Sequence, residues 1–261
     1  MSSRLNWSRE QLIIAFKLYC ELPFGKMHSR NPLIVQYARA IDRTPSALAM
    51  KLTNIASLDP AIRSTGRSGL TGASQADRAM WDEMTSDWNH FAEDASRTER
   101  AIGVVDVLDN YEEAPTGYAG ETRSATIQAR VGQRFFRSAV LSSYEHTCCI
   151  SGIDVPELLV ASHIVPWKTD KENRLNPRNG LCLSSIHDRA FDLGLITISS
   201  DFRVVLSKRV LSITSNQYLT HSFHDYADKV IRLPEKFSPD SALLEFHRER
   251  IFVEGPRHHE H

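Results

Sequence analysis

Residues 160–194, VASHIVPWKTDKENRLNPRNGLCLSSIHDRAFDLG, constrain this chain more than any other stretch. The run ELLVASHI predicts a strand that ends near His163, and the Pro-, Asp- and Asn-rich PWKTDKENRLNPRNG predicts a long loop. LCLSS predicts a second strand, and SIHDRAFDLG a short helix stopped by Gly194. Upstream, TCCISG predicts another extended run before a turn at GIDVPE, which makes His163 the end of a hairpin arm. A single histidine in a turn is most often solvated or hydrogen-bonded. His163, Asn179 and His187 together in one turn-rich piece ask for a chemical reason.

The remaining composition narrows the class. Hydrophobic residues make up 41% of the 261 residues and charged residues 24%, the balance of a globular protein long enough for two small domains. No apolar run approaches the ~20 residues of a membrane span, and the N-terminus lacks the apolar core of a signal peptide, so the expectation is a cytoplasmic protein with no membrane partner. Cys20, Cys148, Cys149 and Cys182 form no C-x-x-C pair and read as reduced thiols. The closing HHEH reads as a solvated tail. Charge is divided along the chain: residues 1–75 hold 10 Lys/Arg against 4 Asp/Glu, and residues 76–115 hold 3 against 11. A basic beginning suits a polyanion, whereas the overall charge of −1 does not by itself point to nucleic acid.

Three helices are expected first. Ser8 caps WSREQLIIAFKLYCEL, and Asn31-Pro32 and Thr44-Pro45 each place a capping side chain before a proline at the first helical position. In the third helix Leu48, Leu52 and Ile55 share one face and leave Ser46, Met50, Lys51 and Asn54 on the other. Two readings stand side by side: a helix-turn-helix with Arg30, Arg39, Arg43 and Lys51 on phosphates, or a three-helix bundle whose polar face meets water. Next, QADRAMWDEMTSDWNHFAEDASRTE predicts one amphipathic helix, acidic outside, which packs on the bundle or on a second subunit.

The segment 101–125 lacks periodicity and reads as a linker between a helical domain, 1–100, and a second domain, 126–261. That domain opens on a helix, ATIQARVGQRFFRSAVLSSYEHTC, with Arg130, Arg134 and Arg137 available to a phosphate backbone. Past Gly194, LITISSDFRVVLSKRVLSIT predicts a β-hairpin turning at Ser200-Asp201, and SPDSALLEFHRERIF a closing helix with Leu243, Leu244 and His247 toward the core. The fold class is α+β, an all-α helical bundle followed by a mixed domain.

The spacing His163-x15-Asn179-x7-His187, set on strand, loop, strand and helix, resembles the HNH nucleases and their ββα-metal fold. SHIVPW resembles that family's histidine signature, NPRNGLCLS its asparagine loop and strand, and HDRAFDLG its helix. Flanking segments extend the likeness from Gln128 to Phe252. The resemblance implies endonuclease activity on DNA, with restriction or phage defence as its use. It implies His163 as the general base, Asn179 as the brace of the loop that carries the base, and His187 as the ligand of one divalent cation. That cation is expected to be Mg2+, with Mn2+, Ni2+ or Zn2+ as alternatives.

Phosphodiester hydrolysis needs these parts: a neutral imidazole to deprotonate water and a cation to stabilise the leaving oxygen. Where many family members carry aspartate or histidine, this chain has Ser162, a weak ligand, so either His187 holds the metal together with waters and the substrate phosphate, or a carboxylate such as Asp188 or Asp192 completes the shell. Asp192 reads equally as the partner of Arg189. Trp167 reads as packing rather than as a stacking platform. Lys168, Lys171, Arg174 and Arg178 form a basic loop, read either as phosphate contacts or as a solvated face. A homodimer is the assembly by which one active site per chain would cut both strands. Two rival functions remain, a ββα module that grips DNA without cutting and a nuclease gated by a partner or ligand through its N-terminal half.

Overall fold

The computed structural model describes residues 6–64, 72–104 and 123–254. It divides into two compact units, residues 1–139 and 140–261. Most of the expected linker, 105–122, and the terminal HHEH lie outside the described residues. No helix among the described residues is long and apolar enough to cross a membrane.

The first unit is all-helical: α1 (Arg9–Glu21), α2 (Pro32–Ala40), α3 (Pro45–Ala56), α4 (Pro60–Ser64), α5 (Gln75–Ser86), α6 (Trp88–Ala101) and α7 (Arg123–Ser143) through Ala139. The expected caps form. Ser8 Oγ accepts from Gln11 N while the Gln11 side chain accepts from Ser8 N, and the Asn31 and Thr44 side chains each receive a backbone amide with proline at the start of the helix. These caps satisfy amides that a helix leaves unpaired at its N-terminus. α1 is apolar nearly all round because it is the central element, packed on α3, α5 and α6. The chain turns between α2 and α3 with Asp42 at φ 54°, a left-handed position that aspartate tolerates.

Two expectations change here. The long acidic helix is two helices, because Asp87 leaves helical geometry and its carboxylate caps the second by accepting from His90 N. α7 also crosses the division between the units, with Phe135 packed against Trp88 and Phe91 of α6, so the second unit begins later than the expected 126.

The second unit holds β1 (Leu159–His163), β2 (Gly180–Ser184), α8 (Ser185–Asp192), β3 (Ile196–Ile198), β4 (Val204–Leu206), α9 (Lys208–Leu211), α10 (Gln217–Phe223) and α11 (Ser241–Arg250). β1 pairs antiparallel with β2 from Leu159 opposite Ser184 to His163 opposite Gly180, and α8 packs on both strands. β3 and β4 form the expected hairpin. TCCISG is not a strand. Its backbone closes a turn, with Cys148 N bonded to Ile153 O and Cys149 N to Cys182 O in the middle of β2.

Gly194 ends α8 at φ +65°, and a Cβ there would sit 2.0 Å from the carbonyl oxygen of Ile251. Conformation and space both demand glycine. In α11, Leu244 and His247 are buried as expected, while Leu243 is only half-buried. His247 lies 3.6 Å from Phe191, ring centre to ring centre and nearly parallel, with Nδ1 accepting from Thr197 Oγ1 and Nε2 donating to Phe191 O.

Candidate active site

His163 is the last residue of β1, and its ring is held from two sides. Nε2 lies 2.9 Å from the Arg174 carbonyl oxygen, and the Trp167 ring meets it edge-on at 5.6 Å. A carbonyl only accepts, so Nε2 carries the proton and Nδ1 carries the lone pair. Burial pushes the imidazole pKa down to about 4, with the Arg174 carbonyl pulling weakly the other way. The ring is therefore neutral at neutral pH, with its basic nitrogen identified.

Asn179 is fully buried and makes the clamp that places this histidine. Its Oδ1 accepts from Val165 N at 2.8 Å, and its Nδ2 donates to the carbonyls of Val165 and Asn173, both at 3.1 Å. Its own backbone carbonyl receives Ile164 N at 2.9 Å. One amide thus ties the residues just after His163 to the residue just before Arg174, the residue whose carbonyl holds the His163 ring. The asparagine earns its position because it can donate and accept at once, which aspartate cannot do when ionised.

His187 is placed differently from the expectation. It is 2% exposed, Nδ1 lies 2.8 Å from Ser184 Oγ, and Nε2 lies 2.7 Å from the carbonyl oxygen of Ser222 in α10. Phe223 and Tyr226 pack edge-on against the ring. By the same reasoning Nε2 donates and Nδ1 accepts from the serine hydroxyl, so neither nitrogen offers an open lone pair to a cation in this arrangement. Cys148 Sγ also lies 3.8 Å from Nδ1 and receives the amides of Ser151 and Ser184. His187 is the centre of a buried polar cluster that joins the turn at Cys148, the start of α8 and α10. Sequence spacing alone could not reveal that cluster, whose parts are 39 and 35 residues from the histidine.

Ser162 is 2% exposed and its Oγ has no hydrogen-bond partner among the described residues. Neighbouring strand positions face opposite sides, so Ser162 is turned from the face that carries His163. Asp188 and Asp192 are one helical turn apart on α8. Partial desolvation and then the charge of Asp188 push the Asp192 carboxyl up to about 6, against the opposing pull of Arg189. Carboxylate oxygens are hard donors of the kind that Mg2+ takes. In this arrangement both His187 nitrogens are occupied, and Asp188 and Asp192 are the carboxylates nearest to it in the chain. Among the described residues, the group with three convergent donors is Glu83, His90 and Asp94 in the first unit, where Arg9 and Arg97 already pair with the carboxylates.

The expected phosphate contacts also separate. Lys51 is buried and bonds Asp77 at 2.6 Å, with its ammonium 4.9 Å from the Trp7 ring centre, so it is not on the outer face of α3. The helical spacing placed it outside, but a buried carboxylate across the fold draws it in. Arg43 lies over the same ring and donates to Gln11 Oε1 and Asn6 O. Arg174 donates to Trp167 O with its guanidinium over the Trp167 ring, which gives that tryptophan a packing role. Arg178 pairs with Asp240. Arg137 is half-buried on α7, and Lys168 is exposed with no side-chain partner among the described residues.

An antiparallel hairpin that ends on a tautomer-fixed histidine, clamped by an asparagine and backed by a short helix, has the ββα layout expected from the sequence. Residues 148–199 match the family model described as HNH endonuclease. No curated protein matches the chain. The match supports nuclease chemistry in general, with DNA as the implied substrate and a divalent metal ion as the family's general cofactor.

Proposed function

We propose that the second unit is a metal-dependent DNA endonuclease used in restriction or phage defence. His163 Nδ1 takes the proton of the attacking water, and Arg174 O and Trp167 keep the ring aimed while it becomes charged. Asn179 holds that geometry without touching the substrate. Asp188 and Asp192 hold the divalent cation, and a bound cation supplies Lewis-acid stabilisation of the leaving oxygen. The observation that carries the reading is the His163–Arg174 contact, since it leaves a neutral imidazole with one defined basic nitrogen.

Plasmid cleavage with Mg2+ or Mn2+ tests it. His163→Ala is expected to lower the rate by roughly 10²–10⁴. Equal cutting by wild type and variant sinks the assignment of the base. Asp192→Asn is expected to weaken cation-dependent thermal stabilisation, read without any substrate. The closed ring of His187 favours a second reading, a module that binds DNA without turnover, which predicts salt-sensitive binding and no cleavage across several metals. Gating through the first unit is supported by a cavity of about 340 Å3 beside Lys17, Glu99, Arg100 and Phe135. Identical activity with and without residues 1–100 counts against it.

A further inference from the structure

The loop that leaves His163 does not fold flat onto the unit. Residues 165–172 and α11 enclose an open groove of about 540 Å3, with Val165, Lys168 and Lys171 on one wall and Ala242, Leu243 and Phe246 on the other. Its composition is unlike a packing defect. Leu243 and Phe246 are only half-buried, so an aromatic ring and a branched aliphatic chain face the hollow. Lys168 is exposed at its edge and has no side-chain partner among the described residues. Asp170, on the same wall, is engaged by its own loop, accepting from the amides of Glu172 and Asn173 and from Asn173 Nδ2. Glu172 lies on the rim of the same wall.

Position adds to composition. Val165 is two residues from His163, within about 7 Å along the chain, and Asn179 clamps it. We propose that this groove receives an unstacked base one or two nucleotides from the scissile phosphate, with its face on Phe246 and its phosphate on Lys168. The proposal rests on the nuclease reading and deepens it. The substrate engaged by the site is single-stranded or locally opened DNA, because a base inside a duplex does not present its face to a side chain.

The test uses the full chain carrying His163→Ala, so that bound DNA stays intact, and a single-stranded oligonucleotide with one 2-aminopurine. Binding is expected to change the fluorescence of that base. Phe246→Leu, which keeps an apolar side chain and removes the stacking face, is expected to weaken binding by about 5- to 100-fold and abolish the fluorescence change. Lys168→Gln, an exposed change that leaves the core untouched, is expected to weaken binding and reduce its salt dependence. Unchanged affinity and unchanged fluorescence in both variants overturn the groove, as does binding of duplex in preference to the single strand. The two readings fail separately. A protein that cuts plasmid normally with both substitutions in the His163 background refutes the groove alone. A protein that binds the oligonucleotide through Phe246 but never cuts refutes the nuclease alone.

Discussion

Replacing Asn179 by aspartate changes one atom group and almost no volume, which makes it a sharp probe of the clamp. Oδ1 remains to accept from Val165 N, but the donor to the carbonyls of Val165 and Asn173 becomes a carboxylate oxygen facing both. Each stranded buried polar group costs about 1–3 kcal/mol, so Asn179→Asp is expected to cost roughly 2–5 kcal/mol. Against a typical total of about 5–15 kcal/mol the protein stays folded and can be measured by urea unfolding. Asn179→Ala removes all three bonds but adds no repulsion, and it is expected to be no more harmful than the near-isosteric aspartate. A second readout distinguishes the clamp from general loosening. Freed from its brace, the loop admits water to His163, and the imidazole pKa rises from about 4 toward its ordinary value, as followed by NMR titration. The reasoning is refuted if Asn179→Asp leaves both the urea midpoint and the His163 titration where they are in the wild type.

Other outcomes are equally definite. Lys51→Ala strands the fully buried Asp77 carboxylate and is expected to cost about 3–5 kcal/mol, seen as a large drop in thermal midpoint, whereas a surface phosphate contact would leave stability unchanged. Gly194→Ala forces a side chain to a positive φ and onto the Ile251 carbonyl, so little folded protein is expected by circular dichroism after expression. His163 and His247 are both pushed down to about 4 by burial. Each binds a proton in the unfolded chain near its ordinary ~6.5 and in the fold only near 4, so stability is full above pH ~6.5 and falls as pH drops toward 4. Asp192, raised to about 6, works in the opposite direction over part of that range. Urea unfolding at pH 7, 5.5 and 4.5 is expected to give falling midpoints, and a flat series contradicts the burial of the two rings.

Helix starts were legible because their causes are local. Asn31-Pro32 and Thr44-Pro45 cap and preset a first turn whatever surrounds them, and β1, β2 and α8 followed from residue pattern and from Gly194. His163 and Asn179 were legible as a pair, since strand and loop signals set them at one end of a hairpin. The break at Asp87 was locally encoded too, though helical periodicity carried on across it and hid the cap.

Partners distant in sequence were another matter. Whether Lys51 faces water or Asp77, whether His187 is open or closed by Ser222, and which carbonyl selects the proton-bearing nitrogen of His163 depend on chain crossings between 11 and 35 residues apart. By itself the sequence determined most of the helix starts and the β1, β2 and α8 elements around the site, because capping, turn chemistry and strand alternation act over a few residues. Only the tertiary structure decided which side chains are buried and which lone pairs are left open, because desolvation and hydrogen-bond pairing are properties of the packed interior.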